Sequence, residues 1–499
     1  MMHFNQSDSD LKDGNSVSRT MDSSALFTDF YELTMAQGYW KSGMNYPAVF
    51  DMFFRRQPFA GGFSVFAGIE TLLDELTAFS FSEQDVAFLD SLGIFEKDFL
   101  DYLKTFRFTG DVYAMREGSI VFPNEPLVRI HADLIQAQII EGLVLNTLNF
   151  QSLIATKSAR VWLASKKGSI MEFGLRRAQG FDGAMSASRA AYIGGASSTS
   201  NTLAGKRFGI PVTGTMAHSW VMSFPSELEA FEAYAELYPD KSVFLLDTYD
   251  TLKSGIHNAI RAGKKLAEKG YNFGVRLDSG DIHYLSTEVR KILDKAGFPN
   301  AFISVSNELT EEIIETLVAG GAPITGWGVG THMVTGGNDA SFTGVYKLAA
   351  RKNGLDGGFI PAMKFSDNPQ KTTDPGIKNV WRLYGHDGMM KADIVALEDE
   401  IIEADKERRF YHPAIDYRSF SFTPAKVEAL LVKRIENGER TEKRAAEKDL
   451  LIEGRKTMQT QLAKLDATHQ RILNPHIYKV SITEKLKDLK LKFIEGCLK

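Results

Sequence analysis

Cysteine is almost absent from this 499-residue chain: Cys497 stands alone, so no intrachain disulfide can form and a cysteine-ligated zinc site is excluded. That usage fits a reducing compartment. Long apolar runs are also missing. The least polar stretch, Ile139 to Ala164, is broken by Asn146, Asn149, Gln151 and Lys157, whereas a membrane span needs about 20 consecutive apolar residues. Nor is there an excess of positive charge. The chain has 58 Lys and Arg against 63 Asp and Glu, a net −5, which leaves no broad field for a nucleic acid, and no basic cluster stands out. Residues 1–24 are rich in Ser, Asp and Asn and contain no apolar segment, unlike a secretory signal. The expectation is a soluble, cytoplasmic protein with a polar tail at 1–24 and no nucleic-acid or membrane partner.

Apolar residues, by contrast, make up 43% of the chain, enough for full-sized cores. At about 100–200 residues per domain the length suggests about three domains. Residues 25–110 read as mixed helix and loop, with Ser82 before Glu83 and Asp85 as a helix start. Alternating runs at Asp111–Met115, Ser119–Phe122 and Leu127–His131, separated by Gly118 and Pro126, predict a small antiparallel sheet. From about residue 168 short apolar runs alternate with amphipathic segments. The runs start at Ser169, Ile210, Ser242, Phe273, Phe302 and Ile324, and the segments include Leu252–Lys269, Tyr284–Ala296 and Glu311–Ala319. Strand-then-helix units of this length predict a parallel α/β sheet, and their number favours a barrel. The Gly- and Pro-rich block from Asn353 to His386 leaves the repeat and is expected to return to the smaller domain. From Pro424 onward, charges at helical spacing predict solvated helices. The division is thus a tail at 1–24, an N-terminal domain at 25–150 joined by 353–423, a barrel at 151–352 and a helical region at 424–499.

Polar residues of the repeat collect where the apolar runs end. In order they are Arg176 and Arg177; Thr215, His218 and Ser219; Asp247 and Asp250; Arg276, Asp278 and Asp281; Ser306 and Asn307; Gly328, Gly330 and Thr331. In a parallel barrel all these ends face one mouth, where such folds carry their active sites. Arginines and glycine-flanked amides suit phosphate oxygens, and nearby carboxylates suit Mg²⁺ on a phosphorylated substrate, so a polyphosphate ligand is expected. GWGVGTH is no dinucleotide fingerprint, because its glycines lack the G-x-G-x-x-G spacing. His218 follows an apolar run within GTMAHS, and Asp247, ending the next run, could fix its tautomer and raise its nucleophilicity.

The motifs TDFYELTMAQGYW from Thr28, FDMFFRRQPFAGGF, EFGLRRAQG, SNTLAGKRFGIPVTGTMAHS, GVRLDSGD, GWGVGTH and TGVYKL ending at Leu348 occur in this order. Together they resemble the nicotinate phosphoribosyltransferases; residues 425–499 carry little of the resemblance. It implies an irregular (β/α) barrel of the type II phosphoribosyltransferases, a smaller α+β sandwich domain and a helical C-terminal region. It also implies transfer of phosphoribosyl from its pyrophosphate to nicotinate, ATP as co-substrate, Mg²⁺ as cofactor, a role in NAD salvage, and a homodimer with sites at the interface. Carried over, His218 is the phosphorylated histidine and Asp247 its carboxylate partner. Tyr31, from the neighbouring subunit, and Phe173 sandwich the pyridine ring. Thr215 and Arg276 contact nicotinate; Arg176, Ser306, Gly330 and Thr331 contact the phosphoribosyl group; Asp278 neighbours the metal.

Three alternatives exist. The sister activity on nicotinamide uses an acidic residue at the position of Asn201, and the neutral Asn201 favours the acid. A catalytically dead phosphometabolite-binding barrel would be expected to lack the histidine or an arginine, and neither is missing. An aldolase-type barrel would need a lysine at a strand end, for which Lys347 is the sole candidate.

Overall fold

The computed structural model describes residues 24–497 except 355–356, 367–370 and 416. The polar stretch at 1–24 therefore lies, apart from Ser24, outside the described residues. Ser82 does start a helix: its side chain accepts from Asp85 N while the Asp85 carboxylate accepts from Ser82 N. This reciprocal capping satisfies two otherwise orphaned donors.

Three sheets organise the chain. The parallel one, in the order Ser198–Thr199, Ser169–Glu172, Gly326–Val329, Phe302–Val305, Gly274–Leu277 and Val243–Leu245, has helices between its strands, as the repeat predicts. Its inward apolar residues, among them Leu245, Val275, Leu277, Ile303, Val305, Trp327 and Val329, are buried in one core with helix residues such as Ile256, Val289 and Ile314. One expected strand is nearly absent. The run from Ile210 reaches the sheet only through Thr199 N to Pro211 O (3.0 Å) and Thr213 N to Thr199 O (3.0 Å). Pro211 has no N–H to give, so a longer ladder cannot form. The barrel is accordingly irregular.

A seven-stranded antiparallel sheet takes the order Phe359–Pro361, Gly344–Lys352, Pro47–Phe54, Val128–Asp133, Asp111–Ala114, Val432–Glu436 and Glu439–Arg440. Two of the three runs expected to pair here do so. The third, Ile120–Val121, pairs with Ser64–Val65 in a separate two-stranded sheet, because Gln461 Oε1 takes Ile120 N (2.7 Å) and so blocks one ladder donor. Gly344–Lys352, read from sequence as part of the barrel, is a strand of this antiparallel sheet. A third, mixed sheet takes the order Ser419–Phe422, Arg408–Tyr411, Val480–Ile482, Met390–Leu397, Lys378–Tyr384 and Lys426–Ala429. The segment 424–499, expected to be helical, thus supplies four strands as well as the helices Glu447–Lys464 and Glu484–Cys497. Tertiary pairing overrides local spacing here: Lys433 Nζ meets Asp111 at 3.1 Å across the ladder between Val432–Glu436 and Asp111–Ala114.

The helix Glu141–Ala164 joins the two larger cores. Leu143, Val144, Leu148 and Leu153 belong to the core of the antiparallel sheet, and Ile154, Ala155, Ala159 and Val161 to that of the barrel. Two of its polar interruptions are paired, Lys157 with Glu311 (2.7 Å) and Gln151 with Arg189 (2.9 Å). This helix is a buried strut, and among the described residues no helix is long and apolar enough to cross a membrane.

Candidate active site

The strand ends of the parallel sheet do converge. Phe173 N donates to Val329 O (2.8 Å), which continues the ladder past Glu172 and sets the Phe173 ring beside Gly328. A Cβ on Gly328 would stand 2.6 Å from that ring, so only glycine lets the aromatic lie there. Glu172 is fully buried and accepts from Ser188 Oγ (2.9 Å) and Thr199 Oγ1 (2.5 Å), fixing the turn that carries Arg176 and Arg177. The result is a cavity of about 470 Å³ lined by Phe173, Arg176, Arg177, Thr215, Arg276, Asp278, Ser306, Gly330 and Thr331, among others.

Arg276 projects from Gly274–Leu277 and donates through Nη1 to Thr215 Oγ1. Its Nε is buried without a partner. Burial depresses its pKa, as does Arg176 nearby, while Asp278 and Asp247 oppose the shift; a guanidinium remains charged in any case. A half-buried guanidinium lining a cavity is suited to a carboxylate or phosphate oxygen. Ser306 Oγ donates to Asp278 Oδ1, which orients that carboxylate, and Asp278 Oδ2 stands 3.7 Å from His218 Nε2.

His218 opens the short helix His218–Met222 and is part-exposed. Its Nδ1 lies 3.2 Å from Thr248 Oγ1. The expected partner of His218, Asp247, makes no ion pair with it in this arrangement. Asp247 Oδ2 instead accepts from Asp278 N (3.3 Å) and from Ser279 Oγ, because the strand carrying Asp247 lies beside that carrying Asp278 and their C-terminal turns meet. Asp278 is the carboxylate that faces the histidine. Thr248 and Ser279 were not foreseen, although DTYD and DSGD set each next to an acid that was. Asp247 Oδ1 is buried and unpartnered.

Asn201 does not line this cavity. Buried, it caps the helix Thr202–Phe208 by accepting from Ala204 N (3.1 Å) and donates to Ser188 Oγ (3.2 Å). Asn201 thus faces away from the cavity, whereas Arg276 lines it. Lys347 lies in the antiparallel sheet, 3.3 Å from Glu141, away from the strand ends.

Tyr31 is the one predicted residue that the chain does not bring to the others. It lies on the helix Phe30–Lys41, is 49% exposed, and lines a different cavity with Asp29, Glu141, Asn146, Asn149 and Phe342. Burial and the neighbouring Glu141 push the Glu32 carboxyl up to about 8, and burial with the same acids pushes the Tyr31 phenol up. Tyr31 therefore stays a neutral ring at physiological pH.

Comparison with known proteins extends this picture. Residues 26–149 match the family model of the nicotinate phosphoribosyltransferase N-terminal domain, and 377–490 that of its C-terminal domain. The second match covers the segment in which the sequence motifs are sparse. Nicotinate phosphoribosyltransferase of Bacillus subtilis (strain 168) is 42% identical over 93% of this chain and 94% of its own length. That of Homo sapiens is 35% identical over 93% and 95%. The crystal structure of human nicotinic acid phosphoribosyltransferase superposes with a TM-score of 0.81 at 32% identity, covering 93% of this chain and 99% of that one. A nicotinate-nucleotide pyrophosphorylase from Pyrococcus furiosus, at 23% identity and a TM-score of 0.67, shares the fold. With both family domains flanking a barrel whose strand ends gather the arginines, the histidine and the aspartates, and with relatives aligned over nearly its whole length, this chain is an enzyme of the nicotinate phosphoribosyltransferase family.

Proposed function

We propose that the barrel mouth joins nicotinate to 5-phosphoribosyl 1-pyrophosphate, giving nicotinate mononucleotide and pyrophosphate, and that ATP drives the transfer through a phosphate carried on His218. The observation that supports this most is the half-buried Arg276 lining the same cavity as Phe173, Arg176 and Thr331. The guanidinium matches the nicotinate carboxylate, and Thr215 holds it in place. Phe173 offers a face for the pyridine ring, which leaves the ring nitrogen free to attack ribose C1 as the bond from C1 to the pyrophosphate oxygen breaks. Arg176, with the backbone of Gly330 and Thr331, receives phosphate oxygens, whose charge grows as pyrophosphate departs.

A divalent ion suits this donor set without a dedicated cage. Among the described residues no three His, Cys, Asp or Glu side chains are placed to hold one, but Mg²⁺ is commonly bound by one or two carboxylates together with substrate phosphates. Asp278 and the unpartnered Asp247 Oδ1 would supply them, and the ion would neutralise charge on the leaving pyrophosphate. For ATP, a ring nitrogen of His218 attacks the γ-phosphorus and ADP leaves. The new phosphate adds about −1.5 to −2 charges beside Asp278 and the arginines, enough to reorganise the site until water removes it. This would place the enzyme in NAD salvage in the cytoplasm.

The barrel domain exposes apolar side chains that a subunit interface would cover. Leu175, which lines the cavity, and Phe181, Val212, Met222 and Tyr249 in the segments after the barrel strands or bridging to them are 44–65% exposed, and large exposed apolar side chains are the kind that association surfaces cover. A homodimer would bring Tyr31 of one subunit over the Phe173 of the other. Tyr31→Ala is expected to raise KM for nicotinate about tenfold and KM for the donor less, consistent with loss of one stacking partner; an equal rise in both would make Tyr31 structural. The acid preference is tested by supplying nicotinate and nicotinamide at equal concentration. Nicotinate mononucleotide should dominate the product mass spectrum, and dominance of the amide product would overturn the assignment of Arg276.

A further inference from the structure

Glu308 is a carboxylate among groups suited to phosphate. It lines the same cavity as Arg176, Gly330 and Thr331, and its side chain is 66% exposed. An uncompensated negative charge at that wall would repel a pyrophosphate.

The fold supplies a compensating group. His332, the residue after Thr331, places its Nε2 3.3 Å from Glu308 Oε2. The contact joins two loops that the sheet does not. The ladder between Phe302–Val305 and Gly326–Val329 ends at Val305 and Trp327, and Glu308 and His332 lie beyond it. The short helix Thr331–Thr335 is fixed on its far side, where Thr335 Oγ1 donates to Thr331 O (2.7 Å) and accepts from Gly337 N (3.2 Å). Gly337 has φ of 60°, and a Cβ there would stand 3.1 Å from His332 Nδ1 and 3.8 Å from Lys157 Nζ. Glycine thus lets this turn close against the ring.

Few charged groups surround the imidazole. Glu308 faces it from the loop, Lys157 comes from the helix Glu141–Ala164, and Arg176 and Arg177 lie on the turn Leu175–Arg177 that packs against the same short helix. Lys157 is already paired with Glu311 (2.7 Å), and Asp339, farther along the glycine turn, with Arg56 (3.1 Å). Glu308 is therefore the carboxylate that a charged His332 meets. We infer that His332 is a positioning residue for the phosphoribosyl donor: in its charged form it neutralises Glu308 and holds that carboxylate against the ring and off the incoming phosphates. This rests on reading the cavity as the donor site. Histidine changes charge between about pH 5 and 8. The pair is ionic at the acid end of that range. As pH rises the histidine loses its charge while Glu308 keeps its own, so donor binding weakens.

The test compares full-length Glu308→Gln, His332→Gln and the double variant with the wild type, by calorimetric titration with phosphoribosyl pyrophosphate and Mg²⁺ at about pH 6 and about pH 8. The donor's own titration is common to every form, so differences between forms report the pair. At about pH 6, His332→Gln should bind the donor about fivefold more weakly than the wild type, and Glu308→Gln about as tightly as the wild type. The double variant should regain the affinity of Glu308→Gln, because removing the carboxylate removes the need for the cation. Between the two pH values the wild type should lose about fivefold relative to Glu308→Gln. KM for nicotinate should stay within about twofold in every form. A double variant no tighter than His332→Gln, a wild type whose pH dependence matches that of Glu308→Gln, or a loss for nicotinate equal to that for the donor would overturn the inference while leaving the site assignment intact. Failure of the wild type to bind the donor at all would overturn the site assignment, and this inference with it.

Discussion

Arg276→Ala is expected to lower kcat/KM for nicotinate by about 100–1,000-fold, with most of the loss in nicotinate binding and little in donor affinity. Truncating one partner of a desolvated charge pair costs about 2–5 kcal/mol, because the other charge is left without its match. Arg276 is half-buried, tethered to Thr215 through Nη1 and lines the cavity, so the carboxylate of the substrate would pair with its guanidinium. Arg276→Lys should recover little, since an ammonium keeps the charge but not the two-pronged donor geometry. Initial-rate kinetics with each substrate varied would check this. A loss confined to the donor would move Arg276 to the phosphoribosyl side of the cavity.

His218→Ala should remove the whole of the ATP-stimulated turnover and leave ATP-independent transfer in place, because the cavity proposed for nicotinate and the donor is lined by other residues. The variant should also fail to take phosphate from γ-labelled ATP. Since Asp278 stands nearest the Nε2 of His218, Asp278→Asn should slow both phosphorylation and transfer. The reason is that Asp278 sits between the histidine and Ser306 and is shared by both halves of the proposed mechanism. ATP stimulation that persists unchanged in His218→Ala would rule out the phosphohistidine.

Much of this site was legible in the sequence because a parallel sheet imposes a simple rule. Where every strand points the same way, the residues after each apolar run meet, so Arg176, Thr215, Arg276, Asp278, Ser306, Gly330 and Thr331 group from the sequence pattern, whereas Phe173 enters only through the resemblance. The rule gives proximity but not pairing. It brought Asp247 close to His218 without showing that the turn after Leu277 would intercept Asp247, or that Thr248 would face the ring. Likewise, Asn201 is adjacent to site residues in sequence, but its N-cap geometry turns it away from the cavity.

The outer parts were harder to read for a different reason. The strands Lys426–Ala429 and Val432–Glu436 carry charges at a spacing that also fits a helix, and only their ladders to Lys378–Tyr384 and Asp111–Ala114 decide between the two. Pairing between residues more than 300 positions apart, such as Lys433 with Asp111, leaves no local trace. Tyr31 marks a third limit. Its segment reads from sequence only as mixed helix and loop, and the side chain meets none of the cavity residues within one chain, so its proposed role requires a second chain.

The most direct test of the account is a single reaction: the purified enzyme with nicotinate, phosphoribosyl pyrophosphate and Mg²⁺, with and without ATP, followed by product mass and by peptide mapping. The account predicts nicotinate mononucleotide in both reactions, a higher product-to-substrate ratio with ATP, and phosphate on the peptide containing His218. Absence of the mononucleotide, or an ATP effect with phosphate on no histidine, would contradict it.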